Sequence, residues 1–577
     1  MNKRSLVLFV LCISIFLVPT VQADELVVKE ENGIKYAGEG WSTEYNGLKV
    51  VYFSGTPEEI GQQQSLFILN DDTEGQIAFY NNLKQRMETG NNVVDGFYNL
   101  YTNHQIIPTL KRHIPEEYLQ EFRGMEKGVK GEAKVLDAND FIFANSFQDI
   151  GLAMGCSVFS AWGDTTQSGE LIVGRNMDKK EYLGIAKYQY LAFYNPAKGH
   201  KFVTLNYPGH AGLMQGMNEQ GLVIAMSYAN TKKPETSIDG LPFVLMFRQV
   251  LQYSANLEEA IESVKNTPRT IGLNITLASA KDNRAVVLET SANRFYLREA
   301  ENYIYATNHF RSEYMKKHGN GKFRVHSYMR DERFEELIAQ YSGDLNYQDM
   351  VKIMRDKFDP DSRRGKGLVA GIENAGTMAS LVFRPDKLQI YPSNLSGMPA
   401  PEGEYLGFDC KKIWEEGKPS PPFEIIDEPE PTTYSKNWLK MREAENAYFN
   451  RNGDKVKELL TSVLQDMPEA ETPLVMMGET YIKLREFDKG ISLLEKVTEL
   501  PETAYSNNLL RAYFWLGLTY DLFLDEREKA VGYYQKAVDL KIPGLLEEEN
   551  NQLKILARLG LKYGLTTDEK GNVIPDK

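Results

Sequence analysis

Between residues 156 and 391 the sequence arranges short strands in blocks, with helices only between the blocks. Strand-like apolar or alternating runs fall at 156–162, 170–175, 190–194, 202–206 and 221–227. A helical stretch follows at 242–264, then strands again at 274–278, 285–289, 294–298 and 303–307. Helical periodicity returns at 326–341 and 347–357, and strands at 378–383 and 388–391 close the segment. A parallel sheet needs a crossover, usually a helix, after each strand. This order therefore excludes a doubly wound fold and predicts an α+β class, with two antiparallel sheets and helices packed outside them.

The flanking segments have their own character. Residues 24–155 read as a strand at 48–53 followed by mostly helical pattern. Thr56, Pro57 and Glu59 form a helix start, with the threonine as cap, proline at the first helical position and glutamate to complete a capping box. Further helices open at 114–119 and 136–141. Pro399, Pro401, Pro419, Pro421, Pro422, Pro429 and Pro431 predict a linker over 401–435. Residues 436–577 read as helical. Gly478, Tyr481, Leu494 and Pro501, then Leu516, Gly517, Tyr520, Ala530, Tyr534, Ala537 and Pro543, resemble two tetratricopeptide units; a plain helical bundle is the alternative.

Lys3 and Arg4, the apolar run 6–18 and the small residues before Asp24 read as a signal peptide over 1–23. No later stretch is long and apolar enough to span a bilayer, so an exported protein, secreted or periplasmic, is expected. The net charge of −14 argues against nucleic acid as a partner. Past the signal only Cys156 and Cys410 remain, and in an oxidising compartment they could pair as a disulfide.

Cys156 has a second reading. No histidine lies in its stretch, yet a cysteine nucleophile needs a base. If the chain cuts itself between Gly155 and Cys156, the new α-amine, with a pKa near 8, is a base carried by the nucleophile's own residue. Arg175 is then placed to favour the thiolate and Asp178 to hold the ammonium. Asn308, at the end of the 303–307 strand, can donate to an oxyanion.

Cys156-Ser157, Ala161-Trp162-Gly163 and Gly174-Arg175-Asn176 with Asp178 resemble the N-terminal-nucleophile (Ntn) hydrolases of the penicillin acyltransferase type, called peptidase C45. These are similar in turn to choloylglycine hydrolases and acid ceramidase-like amidases. The Gly55-Thr56-Pro57 stretch, Met217-Asn218-Glu219, Thr307-Asn308-His309-Phe310 and Ser327 with Arg330 extend the resemblance over about residues 48–395. It implies a four-layer αββα sandwich, autocatalytic cleavage before Cys156, and hydrolysis or acyl transfer at a linear amide, without cofactor or metal. Cys156 would be the nucleophile, Arg175 and Asp178 its support, Asn308 an oxyanion donor and Arg330 an electrostatic partner, with Arg363 or Arg364 as alternatives to Arg330. Tyr228 stands near where choloylglycine hydrolases carry a second asparagine; with His309 and Phe310 it is expected to contact substrate.

The expected domains are the signal peptide 1–23, the segment 24–155 that becomes the small chain, a catalytic domain 156–400, the linker 401–435 and a helical domain 436–577. A small-molecule amide is the expected substrate, and the helical repeats are a place for a protein partner. The competing reading, a non-catalytic scaffold, predicts a single uncut chain.

Overall fold

The computed structural model describes residues 25–71, 105–131, 136–151, 155–178, 186–320, 325–357, 371–374, 376–394, 400–430, 433–500, 507–540, 551–567 and 573–575. The signal segment 1–23, Arg363 and Arg364 lie outside them. No helix among the described residues is long and apolar enough to cross a membrane.

Two sheets form the body. The larger has eleven strands, in the order Lys29–Glu31, Ile34–Ala37, Gly40–Tyr45, Leu48–Gly55, Tyr190–Pro196, Phe202–Asn206, Gln215–Asn218, Leu222–Tyr228, Leu273–Ser279, Arg284–Thr290 and Phe295–Arg298. Every pairing is antiparallel except that of Leu48–Gly55 with Tyr190–Pro196. The smaller sheet runs Tyr303–Ala306, Gly155–Gly163, Gly169–Asp178, Thr377–Arg384, Gln389–Pro392, Tyr405–Asp409 and Glu424–Ile426.

Period-two alternation decides which side chains meet. From the strand Gly155–Gly163, Cys156 and Val158 enter the core shared with the larger sheet, where Leu191, Val203, Val223 and Ile275 also lie. Phe159 and Ala161 point the other way, into a second core with Phe334, Leu337, Met350 and Met354 of the helices Val325–Tyr341 and Tyr347–Met354. The helices Pro57–Gln64, Phe243–Tyr253 and Leu257–Asn266 pack on the outer face of the larger sheet. The layers are helix, sheet, sheet, helix, as the resemblance implies. The Thr56–Glu59 capping box forms as read from the sequence.

Two expectations are corrected. The 24–155 segment contributes four strands rather than one. Its turns at Asn32-Gly33 and Asn46-Gly47 both take positive φ (52° and 76°, 47° and 79°), the hairpin geometry that Asn-Gly pairs favour. The proposed linker 401–435 is largely part of the body. Tyr405–Asp409 joins the smaller sheet, and the helix Cys410–Glu416 buries Cys410, Ile413 and Trp414. Asp409 caps that helix at Lys412 N (3.0 Å), and Gly417 ends it with φ 62°. The prolines flank these elements without entering them, which is why proline content misleads here.

Beyond residue 432 the helices Thr433–Phe449 to Arg527–Asp539 pack as three consecutive pairs, followed by Asn551–Tyr563. The strands Leu565–Thr567 and Val573–Pro575 then pair antiparallel, which corrects the expectation of an all-helical tail. The small and aromatic residues read as repeat contacts do pack together. A Cβ on Gly478 would meet Leu494 at 2.8 Å, and one on Gly517 would meet Tyr534 at 2.6 Å.

Candidate active site

Strand register brings the first three site residues together. Gly155 pairs with Asp178, Cys156 with Met177 and Val158 with Arg175. Arg175 is therefore on the same face as Cys156, between the sheets, and Asp178 is on the opposite face. The Arg175 Nη2 lies 3.7 Å from Cys156 Sγ, and the Met226 sulfur lies 3.9 Å from it on the other side. Cys156 is fully buried. Burial pushes its thiol above the usual range, the Arg175 guanidinium pulls it down, and Asp178 adds to the upward push. The thiol is thus neutral until something takes its proton.

Asn308 meets the other end of the residue. Its Oδ1 accepts from Cys156 N (2.9 Å) and from Arg330 Nη2 (2.6 Å). Its Nδ2 donates to the Tyr228 carbonyl (2.9 Å). Arg330 also donates through Nη1 to Asp178 Oδ2 (2.8 Å), while Thr377 Oγ1 donates to Asp178 Oδ1 (2.7 Å). Burial raises the Asp178 carboxyl, offset first by Arg330 and then by Thr377. A Cβ on Gly155 would lie 3.2 Å from Asp178 Oδ2, so that carboxylate sits directly over the Gly155–Cys156 junction. All five residues expected to be catalytic converge here. Asn308 presents its carbonyl oxygen, not its amide nitrogen, to Cys156, and so holds the backbone nitrogen of that residue.

The side chains expected to touch substrate are placed differently. Tyr228 is half-buried and serves Asn308 through its backbone carbonyl. His309 is turned inward: Nε2 lies 3.2 Å from Asp331 Oδ2, Nδ1 lies 2.8 Å from Ser327 Oγ, and the ring stacks on Tyr328 at 3.7 Å. Phe310 packs with Ala229 and Met315. These two residues support the site from behind instead of lining it. Burial pushes the Asp331 carboxyl up, but the charges of His309 and Arg311 outweigh it and hold the group below its usual range.

Sequence reasoning missed Ser327's role, Thr377 and Gln215. Ser327 Oγ accepts from the Asn308 backbone N–H (2.6 Å). Gln215 accepts from Arg175 Nη1. The helix Val325–Tyr341 sets Ser327, Arg330 and Asp331 three and four residues apart on one face, a spacing legible in retrospect. The alternative of a Cys156–Cys410 disulfide is not realised, since both are free, buried thiols. Burial pushes Cys410 well above the usual thiol range, as for an inert core cysteine.

The chain is similar to an uncharacterized protein of Archaeoglobus fulgidus (23% identity over 276 residues, 44% of this chain and 45% of that one). It is also similar to protein dcd1B of Dictyostelium discoideum (30% over 141 residues, 24% of this chain and 27% of that one). It thus spans less than half the length of the curated relatives it matches. Among solved structures, a Caenorhabditis elegans N-acylethanolamine-hydrolyzing acid amidase ortholog matches with 17% identity and a TM-score of 0.31, over 40% of this chain and 93% of that one. A mutant conjugated bile acid hydrolase of Clostridium perfringens matches with 13% identity and a TM-score of 0.29, over 48% and 97%. Residues 510–541 match the tetratricopeptide repeat model. Residues 165–393, the stretch that carries Arg175, Asp178, Asn308 and Arg330, match the family model of acyl-coenzyme A:6-aminopenicillanic acid acyl-transferase.

Proposed function

We propose that this is an exported, self-processing cysteine Ntn hydrolase or acyltransferase that cleaves a linear amide C–N bond through a thioester at Cys156. The observation that carries the reading is that the two ends of Cys156 are held by separate arms. Arg175 meets its sulfur, and Asn308, fixed by Arg330, meets its nitrogen.

In maturation the Cys156 Sγ attacks the Gly155 carbonyl carbon. The C–N bond breaks, the Cys156 nitrogen takes a proton, and water then hydrolyses the thioester. Residue 155 becomes a carboxylate and Cys156 gains a free α-amine. In turnover that amine takes the thiol proton, directly or through one water. The thiolate, with Arg175 as counter-ion, attacks the substrate carbonyl, and the amine returns the proton to the leaving nitrogen. Water completes hydrolysis; a second amine would complete transfer, which the matching acyl-transferase model favours as the alternative. Asn308 Oδ1 and Asp178 hold the ammonium. The signal segment supports export, and the helical repeats are offered as the site of a protein partner.

The test compares the purified wild type with Cys156→Ala on a denaturing gel, with N-terminal sequencing. Wild type should run as two chains, the larger beginning at Cys156, and the variant as one. A single wild-type chain whose Cys156 resists alkylation would overturn the reading and favour the scaffold.

A further inference from the structure

Arg175 is buried, and burial pulls its guanidinium below the usual range. Among the described residues no carboxylate lies within ion-pair distance of it, and its Nε has no hydrogen-bond partner. Asp178 is engaged by Arg330 and Thr377 on the other face of the strand. What holds Arg175 is a neutral side chain from the facing sheet. Gln215 Oε1 accepts from Arg175 Nη1, while Gln215 Nε2 donates to the Leu205 carbonyl (2.6 Å). The Gln215 backbone carbonyl accepts from Thr204 Oγ1 (2.7 Å). The two side-chain bonds admit one amide orientation only, since guanidinium donates and a carbonyl accepts. Gln215 is itself fully buried.

A buried cation is ordinarily paired with a carboxylate, because desolvating an unpaired charge is costly. A glutamate here would satisfy Arg175 and cancel its charge. The amide satisfies one donor, Nη1, and leaves the charge in place, with Nη2 aimed at the sulfur.

We infer that Gln215 is a positioning residue: a neutral acceptor that aims Arg175 at Cys156 without discharging it, so that the charge remains available to the thiolate. This rests on Cys156 being the nucleophile proposed above. The other charged or titratable groups around the thiol are Asp178 and Arg330, with Tyr207 beyond Arg175. None of them changes in the variants below.

The experiment is the pH profile of iodoacetamide alkylation at Cys156, read by peptide mass so that Cys410 does not contribute. It uses matured wild type, Gln215→Glu and Gln215→Met. Gln215→Glu keeps an acceptor for Arg175 but adds a negative charge, and its midpoint should rise by roughly one unit or more. Gln215→Met keeps size and neutrality but frees the guanidinium, and should give a smaller rise. A Gln215→Glu midpoint equal to that of wild type overturns the inference, since mere space-filling or anchoring would leave it unmoved. If Gln215→Glu melts cooperatively but stays uncut, the inference is supported, because the same thiolate is needed for maturation. If it does not fold, Gln215→Met decides, and an unchanged midpoint there overturns the proposal. A wild type without an N-terminal Cys156 would overturn the proposed function itself, a result the gel reports separately.

Discussion

Arg330 joins the two halves of the site, with one nitrogen on Asp178 and the other on Asn308, all three largely buried. Removing one partner of such a pair strands a buried charge and costs about 3–5 kcal/mol. Arg330→Met should lower stability by that order in chemical denaturation and, on the proposed function, abolish self-cleavage. Adding Asp178→Asn should recover part of the stability and none of the processing. Asp149 offers a pH test. It bonds Thr270 Oγ1 and the Phe243 N–H, and burial raises its carboxyl from the usual value to about 7. The folded chain therefore keeps this proton where the unfolded chain has lost it. Stability tied to Asp149 is full below about pH 4, falls as pH rises to about 7, and stays at the lower level above that. Asp149→Asn should raise the melting temperature at pH 8 and change it little at pH 4. Equal effects at both pH values would contradict this.

The helix Val325–Tyr341 is the element that turns a loop into a site. Its Ser327 fixes the Asn308 backbone, and its Asp331 fixes His309 and Thr307, whose hydroxyl donates to Asp331 at 2.6 Å. Ser327→Ala removes the hydroxyl's bonds to the Asn308 N–H, His309 Nδ1 and Thr307 Oγ1, each worth about 1 kcal/mol, and on the proposed function self-cleavage should slow by roughly tenfold or more. Ser327→Thr retains the hydroxyl and should process near the wild-type rate. A gel time course of uncut chain measures both. At this scale much could be read from sequence. The capping box and the strands around Cys156 depend on neighbours a few residues apart. The Asn32-Gly33 and Asn46-Gly47 hairpin signals were present too, but the strands they join are short and mixed, and helical pattern elsewhere in the segment outweighed them. The inward turn of His309 was not legible, because its partners come from a helix whose docking the local sequence does not specify.

For the whole molecule, the boundary falls after the last strand of the smaller sheet and not after residue 400. Tyr405, Leu406, Phe408, Ile413 and Trp414 are all buried. Their burial contributes on the order of 10 kcal/mol, comparable to the net stability of a domain. A chain ended after residue 430 should keep a cooperative melt and, on the proposed function, self-cleavage. A chain ended after residue 400 should lose both. Arg355 ties this region to the body through the carbonyls of Pro401, Gly403 and Asp427 (2.9, 2.8 and 2.9 Å), contacts between groups distant in sequence.

The sequence alone determined that the strand of Cys156 lies beside the strand of Arg175 and Asp178, because consecutive strands joined by a short turn pair antiparallel. It also determined the block order that yields two sheets, and the small-residue contacts of the later helices. Tertiary structure decided the rest. Asn308 and Arg330 reach Cys156 from more than a hundred residues away, Gln215 reaches Arg175 from the opposite sheet, and Tyr405–Asp409 finds its place only once Gln389–Pro392 offers an edge. Contacts of this kind leave no periodic mark in the chain, since they depend on how the layers stack and not on what stands nearby in sequence.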